Sequence, residues 1–355
     1  MPYRPDLLKR LAEAHGPSSR EDAIRAIVRP EFAATCDRVE EDALGNVTGV
    51  RVPAPGLPRL MLAAHMDEIS LMVTHVDDGG YIRVATVGGW DVRTLVGQRV
   101  VVHGRSVLPG IVGTTPVHLM DDAAKGRAPR VEDLGIDIGL PADEVRALVR
   151  RGDMATRTRE LVSVGNLVTA KGLDNRVGVA VMLEAMGAAT PTTLEVHAVA
   201  TSQEEVGLRG AKVRATAIAP HIALAIDTCP SDDGPGGNRA PTTRLGGGAA
   251  IRIMDASAIC APALVDLLEQ LAIKRGIPHQ FHAANRGGTD TGAMQLAGEG
   301  TIAGCVSIPT RYVHTSVEAC HPADIDACIA LVAALIEEGH RCLPASSASS
   351  RTGQI

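Results

Sequence analysis

The stretch Leu60-Met61-Leu62-Ala63-Ala64-His65-Met66-Asp67 joins an apolar run to a histidine and an aspartate. A second run, Ile222-Ala223-Leu224-Ala225-Ile226, leads in the same way into Asp227. Short apolar runs of this kind are typical of strands that are buried on both faces, as in a parallel sheet with helices on each side. The two runs therefore predict an α/β fold whose sheet is flanked by helices.

Metal-compatible side chains follow these and other apolar runs. Because ligands bind at the carboxyl ends of parallel strands, side chains that follow such strands can converge at one edge of the sheet. Two histidines and several carboxylates at one edge would be electrostatically unfavourable unless cations lay among them. The pattern therefore predicts a hydrolase with two metal ions. The candidate residues are His65, Asp67, Asp174, Glu204, Glu205, Asp227 and His314.

The composition limits the classes of function. The chain has 355 residues, a net charge of -6 and only two Phe, three Tyr and one Trp. This composition argues against nucleic acid as a partner and provides no basic patch for a membrane surface. The longest apolar stretch, residues 327–336, is too short to span a bilayer, and the charged N-terminus does not resemble a signal peptide. We expect a cytoplasmic protein with no nucleic-acid or membrane partner.

The chain changes character in its second quarter. Short β-branched runs such as Arg99-Val100-Val101-Val102-His103 alternate there with closely spaced glycine and proline, which is typical of a small antiparallel barrel or sandwich. The α/β pattern resumes afterwards, so a domain inserted into another domain is the simplest organisation. We predict a catalytic α/β domain over residues 1–68 and 166–342, an inserted β-domain over residues 69–165, and a disordered tail over residues 343–355.

The candidate residues suggest a division of roles. Histidine and carboxylate ligands suit Zn, Co or Mn, and a two-metal site needs one carboxylate that bridges the ions. Asp174 is the best candidate for the bridge because it lies at the start of a predicted helix, whose N-terminus favours a carboxylate. Of the adjacent residues Glu204 and Glu205, one could ligate a metal while the other acts as a general base. Asp67 could accept a hydrogen bond from the His65 imidazole.

Each residue also has an ordinary interpretation, so the pattern alone names no substrate. An adjacent pair of glutamates usually lies on the solvent-exposed surface, and a single aspartate is often a helix cap. Four motifs make the interpretation specific. They are Ala64-His65-Met66-Asp67-Glu68, Lys171-Gly172-Leu173-Asp174-Asn175-Arg176, Gln203-Glu204-Glu205-Val206-Gly207 and Arg311-Tyr312-Val313-His314-Thr315.

With these motifs the chain resembles the M42 family of dinuclear metallo-aminopeptidases over residues 8–338. The resemblance implies a zinc-peptidase-like α/β sheet with an inserted β-domain that covers the cleft and helps assembly. It also implies that His65 and Asp227 hold one metal ion, that Glu205 and His314 hold the other, and that Asp174 bridges the two. Zinc or cobalt would be the metals, with manganese as a third choice.

Further roles follow from the same resemblance. Glu204 would be the general base, Asp67 would orient His65, and the Asp174–Asn175 peptide bond would be cis. Asp290 lies in a stretch that resembles a family segment near the substrate. Arg176 and Arg311 are candidate cations for a pocket that accepts glutamate. After Asp227, residues 228–233 differ from the sequence that is usual in the family. This difference affects the expected specificity or loop shape rather than the ligand set.

The resemblance implies removal of N-terminal residues from short peptides by a homo-oligomer, in the form of a large tetrahedral dodecamer. Three other functions stay open at this point. A related co-catalytic amidohydrolase or carboxypeptidase could use the same glutamate pair. A scaffold with a vestigial site is disfavoured because no ligand and no base is missing. Glycan hydrolysis could use paired carboxylates, but it would not require metal.

Overall fold

The computed structural model describes residues 2–190, 193–237 and 242–344. It consists of one large mixed sheet with helices on both faces and one small closed barrel. The predicted α/β class, with a helix-flanked sheet and a small β-barrel, is confirmed. The predicted disordered tail, residues 343–355, lies outside the described residues apart from its first two positions.

The strands fall into three groups along the chain. Before the barrel come β1 (Arg38–Glu41), β2 (Val47–Arg51) and β3 (Arg59–His65). The barrel strands are β4 (Ser70–Val76), β5 (Ile82–Val87), β6 (Arg99–His103), β7 (Val107–Thr114), β8 (Leu134–Asp137) and β9 (Met154–Arg157). After the barrel come β10 (Val162–Val164), β11 (Leu167–Ala170), β12 (Glu195–Thr201), β13 (Ile222–Pro230), β14 (Ala249–Met254), β15 (His279–Ala283), β16 (Ile302–Arg311) and β17 (Glu318–Cys320).

The helices of the described residues are α1 (Pro5–Glu13), α2 (Asp22–Ala33), α3 (Asp122–Lys125), α4 (Ala142–Leu148), α5 (Leu173–Ala188), α6 (Arg209–Ile218), α7 (Pro262–Arg275), α8 (Thr291–Met294) and α9 (Pro322–Glu338). Of these, α3 and α4 belong to the barrel segment and the other helices belong to the domain of the large sheet. In the described part of the chain, none of the helices combines the length and the apolar character needed to cross a membrane. The cytoplasmic location stays a prediction.

The large sheet is parallel at its centre and is flanked mainly by antiparallel pairs, although β14 and β15 at one edge run parallel to each other. The strand order is β1-β2-β12-β3-β13-β16-β17-β11-β10, and β14 joins through β16 with β15 beyond it. The central strands β12, β3, β13 and β16 run parallel to one another. Their carboxyl ends therefore lie at the same edge of the sheet, which is where an α/β sheet binds its ligands.

The apolar runs are unbroken because the central strands are buried on both faces. In β3, Leu60 and Leu62 belong to the core formed with α1, α2, α5, α7 and α9. Met61 and Ala63 face the opposite side and pack in a smaller core with α6 and α8. Both faces of the strand exclude water, so no position of the run favours a polar residue until the strand reaches the edge.

The barrel is closed in the order β4-β5-β8-β7-β6-β9 and has a core of its own. Leu71, Val100 and Ile136 are among the fully buried residues of that core. Strand β10, at residues 162–164, pairs with β11 in the large sheet rather than with the barrel. The boundaries of the predicted domains stay a prediction.

We predict that Leu224→Ala in the middle of β13 strongly destabilises the protein. Leu224 is 0% exposed, and removing a buried leucine side chain costs about 2–5 kcal/mol through lost burial and the cavity that remains. Leu296→Ala is the matched control, because Leu296 is 80% exposed and its loss should cost less than about 0.5 kcal/mol. Urea denaturation of both variants would measure the difference, and equal losses would contradict the assignment of Leu224 to the core.

Candidate metal centre

Five of the candidate side chains meet at the carboxyl edge of the central strands. His65 is the last residue of β3 and Glu205 follows β12. Asp227 lies inside β13 rather than after it, because β13 pairs with β16 throughout its length. Asp174 is the second residue of α5, and His314 follows β16. Residues that are far apart in the sequence are therefore brought to one place by the parallel strands.

The first group consists of His65, Asp174 and Asp227, whose ligand atoms all lie within 4.8 Å of one another. His65 Nε2 is 3.4 Å from Asp174 Oδ1 and 3.9 Å from Asp227 Oδ1. All three residues are buried. One imidazole and two carboxylates form a donor set that suits zinc, cobalt or manganese.

The second group consists of Asp174, Glu205 and His314. His314 Nε2 is 3.3 Å from Asp174 Oδ2 and 3.3 Å from Glu205 Oε1. Asp174 thus belongs to both groups, with one oxygen facing each histidine. Its Oδ1 is buried and accepts no hydrogen bond within the described part of the chain. The Asp174 carboxylate thus faces two histidines, and one of its buried oxygens has no hydrogen-bond donor among the described residues. Such a carboxylate fits the requirement for a bridge between two cations.

The backbone at the start of α5 is firmly held. The Asp174–Asn175 peptide bond is cis, which confirms the expectation from the family resemblance. Asn175 Nδ2 donates to the carbonyl oxygen of Ile226 at 2.8 Å, and Asn175 Oδ1 accepts from the N–H of Gly178 at 3.1 Å. The first bond ties the start of α5 to β13 directly beside Asp227, and the second is made within the first turns of α5.

Burial and mutual repulsion dominate the electrostatics of the centre. Burial raises the pKa of Asp227 to about 8, with His65 opposing the shift and the Asp174 carboxylate adding to it. Burial opposes protonation of His314, yet the carboxylates of Asp174 and Glu205 outweigh it and raise the pKa of the imidazole to about 11. Both shifts arise from an excess of negative charge that water does not solvate. Divalent cations would compensate that charge.

Asp67 organises the chain around the centre through both its backbone and its side chain. Its carbonyl oxygen lies 3.1 Å from His65 Nδ1, closer than its carboxylate oxygen at 3.4 Å. The carboxylate accepts from the N–H groups of Glu204 at 2.9 Å and Glu205 at 3.2 Å, and from the Ser18 hydroxyl at 2.6 Å. The contacts of Asp67 therefore reach the histidine and the glutamate pair at the same time.

Glu204 and Glu205 occupy different positions although they are adjacent. Glu205 belongs to the second group, whereas Glu204 belongs to neither group. Glu204 Oε2 is 3.8 Å from His65 Nε2, and the residue lines the cleft that leads to the centre. Its carboxylate therefore lies next to the ligand groups without being part of them.

A buried network of opposite charges lies behind the centre. Lys171 Nζ donates to both oxygens of Glu68 at 2.9 and 3.0 Å, and Arg176 Nη2 lies 3.4 Å from Glu68 Oε1. Burial would raise the pKa of Glu68, but the two cations outweigh it and lower the pKa to about 2. Arg176 is 0% exposed, so the suggestion that it recognises a substrate glutamate is wrong. The charge of Arg176 is compensated by Glu68 inside the protein.

Our reading of the sequence missed Glu318. This residue is buried, and its carboxylate accepts hydrogen bonds from the backbone N–H groups of Asp174 and His314. The available signal was a single carboxylate between Val317 and Ala319, four positions after His314. A charged residue in a short apolar stretch next to a ligand motif is a candidate for a buried structural role.

The centre opens into a cleft of about 840 Å³, whose wall includes Asp232, Arg252 and His282. Arg311, a predicted substrate contact, forms a bidentate ion pair with Asp233. Its Nε donates to Oδ1 at 2.9 Å and its Nη2 donates to Oδ2 at 2.7 Å. Asp290 accepts a hydrogen bond from the Thr201 hydroxyl at 2.6 Å. The substrate roles of Arg311 and Asp290 stay predictions.

Comparisons with known proteins identify relatives of this chain. Residues 45–331 match a family described as M42 glutamyl aminopeptidase. A lysyl aminopeptidase from Pyrococcus furiosus is 33% identical over 347 residues, which cover 94% of this chain and 96% of that protein. An aminopeptidase from the archaeon Desulfurococcus kamchatkensis has the same fold, with a TM-score of 0.90, 40% identity and 94% coverage of both chains.

A third relative is the TET1 peptidase from Pyrococcus horikoshii, which can assemble into a tetrahedron or a large octahedral shell. Its structure matches with a TM-score of 0.84 and 33% identity over 94% of this chain and 99% of the other. The match includes the barrel as well as the large sheet, and it extends well beyond the motifs that carried the resemblance. That resemblance is confirmed, and the expected aminopeptidase activity is the one for which these relatives are named. The chain belongs to the M42 glutamyl aminopeptidase family.

Proposed function

We propose that this protein is a dinuclear metallo-aminopeptidase that removes N-terminal residues from short peptides. The observation that carries the proposal is the position of Asp174, whose two oxygens face two different histidines. Two donor groups that share one carboxylate match the arrangement of a two-metal hydrolase, in which the ions lie roughly 3.5–4 Å apart. Family membership supports the same reaction.

The two groups would hold the ions as the family resemblance implies. His65 and Asp227 would hold one ion, Glu205 and His314 the other, and Asp174 both. Zinc and cobalt are the metals we propose, with manganese as the alternative that the donor set also accepts. When bound, such ions polarise the scissile carbonyl group and acidify a water molecule next to it.

Glu204 is proposed to move the proton. Its carboxylate lies beside the ligands without belonging to either group and lines the cleft. From this position it would take a proton from the attacking water and later donate the proton to the leaving amine, which is general base and then general acid catalysis. Asp67 would keep Glu204 in place because it accepts a hydrogen bond from the Glu204 backbone N–H.

The charge around the centre suits a substrate with a free N-terminus. Asp290 is buried within interaction range of Glu204 and His65, and Asp232 lines the same cleft as the ligands. These carboxylates add negative charge beyond the donors of the two groups. Arg252 and Arg286 also line the cleft, but the Arg252 charge is paired with Asp255. A positively charged α-amino group would be attracted to this region, whereas a free carboxylate would be repelled. This difference favours aminopeptidase over carboxypeptidase activity.

We also propose that the protein forms homo-oligomers, with a tetrahedral dodecamer as the expected form. The support is the assembly of the Pyrococcus horikoshii relative and a set of exposed apolar side chains on the barrel segment. Val117 and Leu119 are 67% and 69% exposed and line one surface pocket together with Val96, which is 40% exposed. Large apolar side chains that lie together on a surface commonly mark an interface.

The first test compares one short peptide in three forms: free, N-acetylated and carboxy-amidated. Each modification removes one terminal charge. We expect the free and the amidated peptides to be cleaved, the acetylated peptide to resist, and chelation to abolish cleavage until zinc or cobalt is added back. Cleavage of the acetylated peptide would favour an amidohydrolase. Loss of cleavage with the amidated peptide alone would favour a carboxypeptidase, and resistance to chelation would refute a metal-dependent reaction.

The second test concerns the base. Glu204→Gln should keep both metal ions but lose about 100- to 10,000-fold in kcat, because the amide cannot accept the proton. Glu205→Gln is the matched neighbour and should lose affinity for one ion. Metal content by elemental analysis and turnover of the free peptide would be measured on both. Turnover by Glu204→Gln at the wild-type rate would refute the assignment of the base.

The third test concerns the bridge. Asp174→Ala removes a donor from both groups, so we expect it to lose both ions. Asp227→Ala removes a donor from the first group alone and should retain one ion. Equilibrium dialysis against zinc, followed by elemental analysis, would give the number of ions bound by each variant. If Asp174→Ala retained two ions, or lost no more metal than Asp227→Ala, the bridging role would be refuted.

A further inference from the structure

We propose that Glu318 is a positioning residue for the metal centre, which it holds together by bonding the backbone of Asp174 and that of His314 at once. The inference rests on the proposed two-metal function. Glu318 would not bind metal itself. Its role would be to fix the distance between the shared carboxylate and the histidine of the second group.

The hydrogen bonds of Glu318 are the first observation. Oε2 accepts from the N–H of Asp174 at 2.9 Å, and Oε1 accepts from the N–H of His314 at 2.8 Å. The residue is 1% exposed, so water does not compete for these oxygens. Each carboxylate oxygen is therefore committed to one of the two segments.

The position of Glu318 in the sheet explains how one residue reaches both segments. Strand β17 lies between β16 and β11, and Glu318 is paired with Ala170 of β11. Strand β16 leads into the loop that carries His314, while β11 leads into the start of α5 and Asp174. Glu318 thus lies between the segment that carries His314 and the segment that carries Asp174.

His314 needs such support because of its backbone conformation. Its φ angle is 63°, in the left-handed region that residues with a side chain rarely adopt. Glu318 holds its N–H, and Arg157 Nη1, at the end of barrel strand β9, donates to its carbonyl oxygen at 3.2 Å. Both polar backbone groups of His314 are therefore fixed, one from the sheet and one from the barrel. A conformation of this kind persists where the surroundings determine it.

The turn after β5 also passes close to the imidazole. A Cβ atom added to Gly89 would lie 3.3 Å from His314 Nδ1, and one added to Gly88 would lie 3.4 Å from Cβ of Glu205. The glycine pair allows the turn after β5 to approach both side chains of the second group. A residue larger than glycine at either position would crowd the side chains of the second group.

The consequence is a specific effect on metal affinity. In Glu318→Gln, one side-chain oxygen still accepts a hydrogen bond, but the amide NH₂ faces a backbone N–H and cannot accept. One of the two segments is then released. Loss of a partner that orients a metal ligand typically costs about 10- to 100-fold in metal affinity or activity. We expect a loss of this size for at least one of the two ions, with kcat reduced and KM nearly unchanged.

Asp324 provides a matched control. It is a completely buried carboxylate whose two oxygens accept from the N–H groups of Gly246 and Gly248 at 2.8 and 2.7 Å. Asp324→Asn therefore loses the same kind of bond at a place outside both donor groups. It should lower the thermal midpoint of the metal-free protein but leave zinc affinity unchanged.

The experiment is calorimetric titration of the metal-free protein with zinc for wild type, Glu318→Gln and Asp324→Asn. Glu318→Asp is added in case the glutamine variant does not fold. Its shorter carboxylate cannot reach both N–H groups, so it should bind at least one ion more weakly than wild type does. Wild-type affinity for both ions in each Glu318 variant would overturn the inference. An equal loss of affinity in Asp324→Asn would also overturn it, since general destabilisation would then explain the effect.

The same titration separates this inference from the function on which it rests. A wild-type protein that binds two zinc ions supports the dinuclear proposal, whatever the variants do. A wild-type protein that binds no zinc would refute the dinuclear proposal and the role of Glu318 with it. Two ions in the wild type with unchanged affinity in the Glu318 variants would refute the positioning role alone.

Discussion

The candidate metal centre of this protein depends on the carboxylate of Asp174, whose two oxygens face different histidines. Asp174 directs one oxygen toward His65 and the other toward His314, two residues that come from different strands. Such a carboxylate has little freedom to adjust, because a rotation that improves one contact worsens the other. Its backbone therefore has to be fixed independently of its side chain. Asn175 fixes it toward β13, and Glu318 fixes it toward the loop of His314.

A second constraint is the charge that this edge accumulates. The carboxylates of the two donor groups are buried with too few cationic partners, which is tolerable only if metal ions supply the missing charge. The network directly behind them is arranged differently. Glu68 is matched there by Lys171 and Arg176, so its charge is compensated within the protein. Breaking such a buried pair typically costs about 3–5 kcal/mol. One set of charges is thus paired within the protein, whereas the other is a set that divalent cations would compensate.

The barrel takes part in the centre as well as standing next to it. Arg157 packs over the ring of Trp90 at 4.7 Å and donates to the carbonyl oxygen of His314. The turn that contains Gly88 and Gly89 passes close to the side chains of the second group. Part of the geometry of the donor set is therefore provided by a segment of the chain that contributes no ligand. This dependence gives a physical reason for the barrel to be inserted directly after β3, the strand that ends in His65.

The sequence determined the class of fold and the residue types of the centre. Apolar runs such as Leu60–Ala64 are interpretable because burial on both faces of a strand is a local property, visible as an unbroken run. The exact role of each residue depends on contacts between distant segments, which periodicity does not encode. Only the tertiary structure decided that the Asp67 carboxylate holds the Glu204-Glu205 backbone, that Arg176 is buried inside the protein, and that Glu318 bonds both His314, which is nearby in the sequence, and Asp174, which is 144 residues away. Hydrogen bonds to backbone N–H groups require no particular partner residue, so they leave no pattern in the sequence.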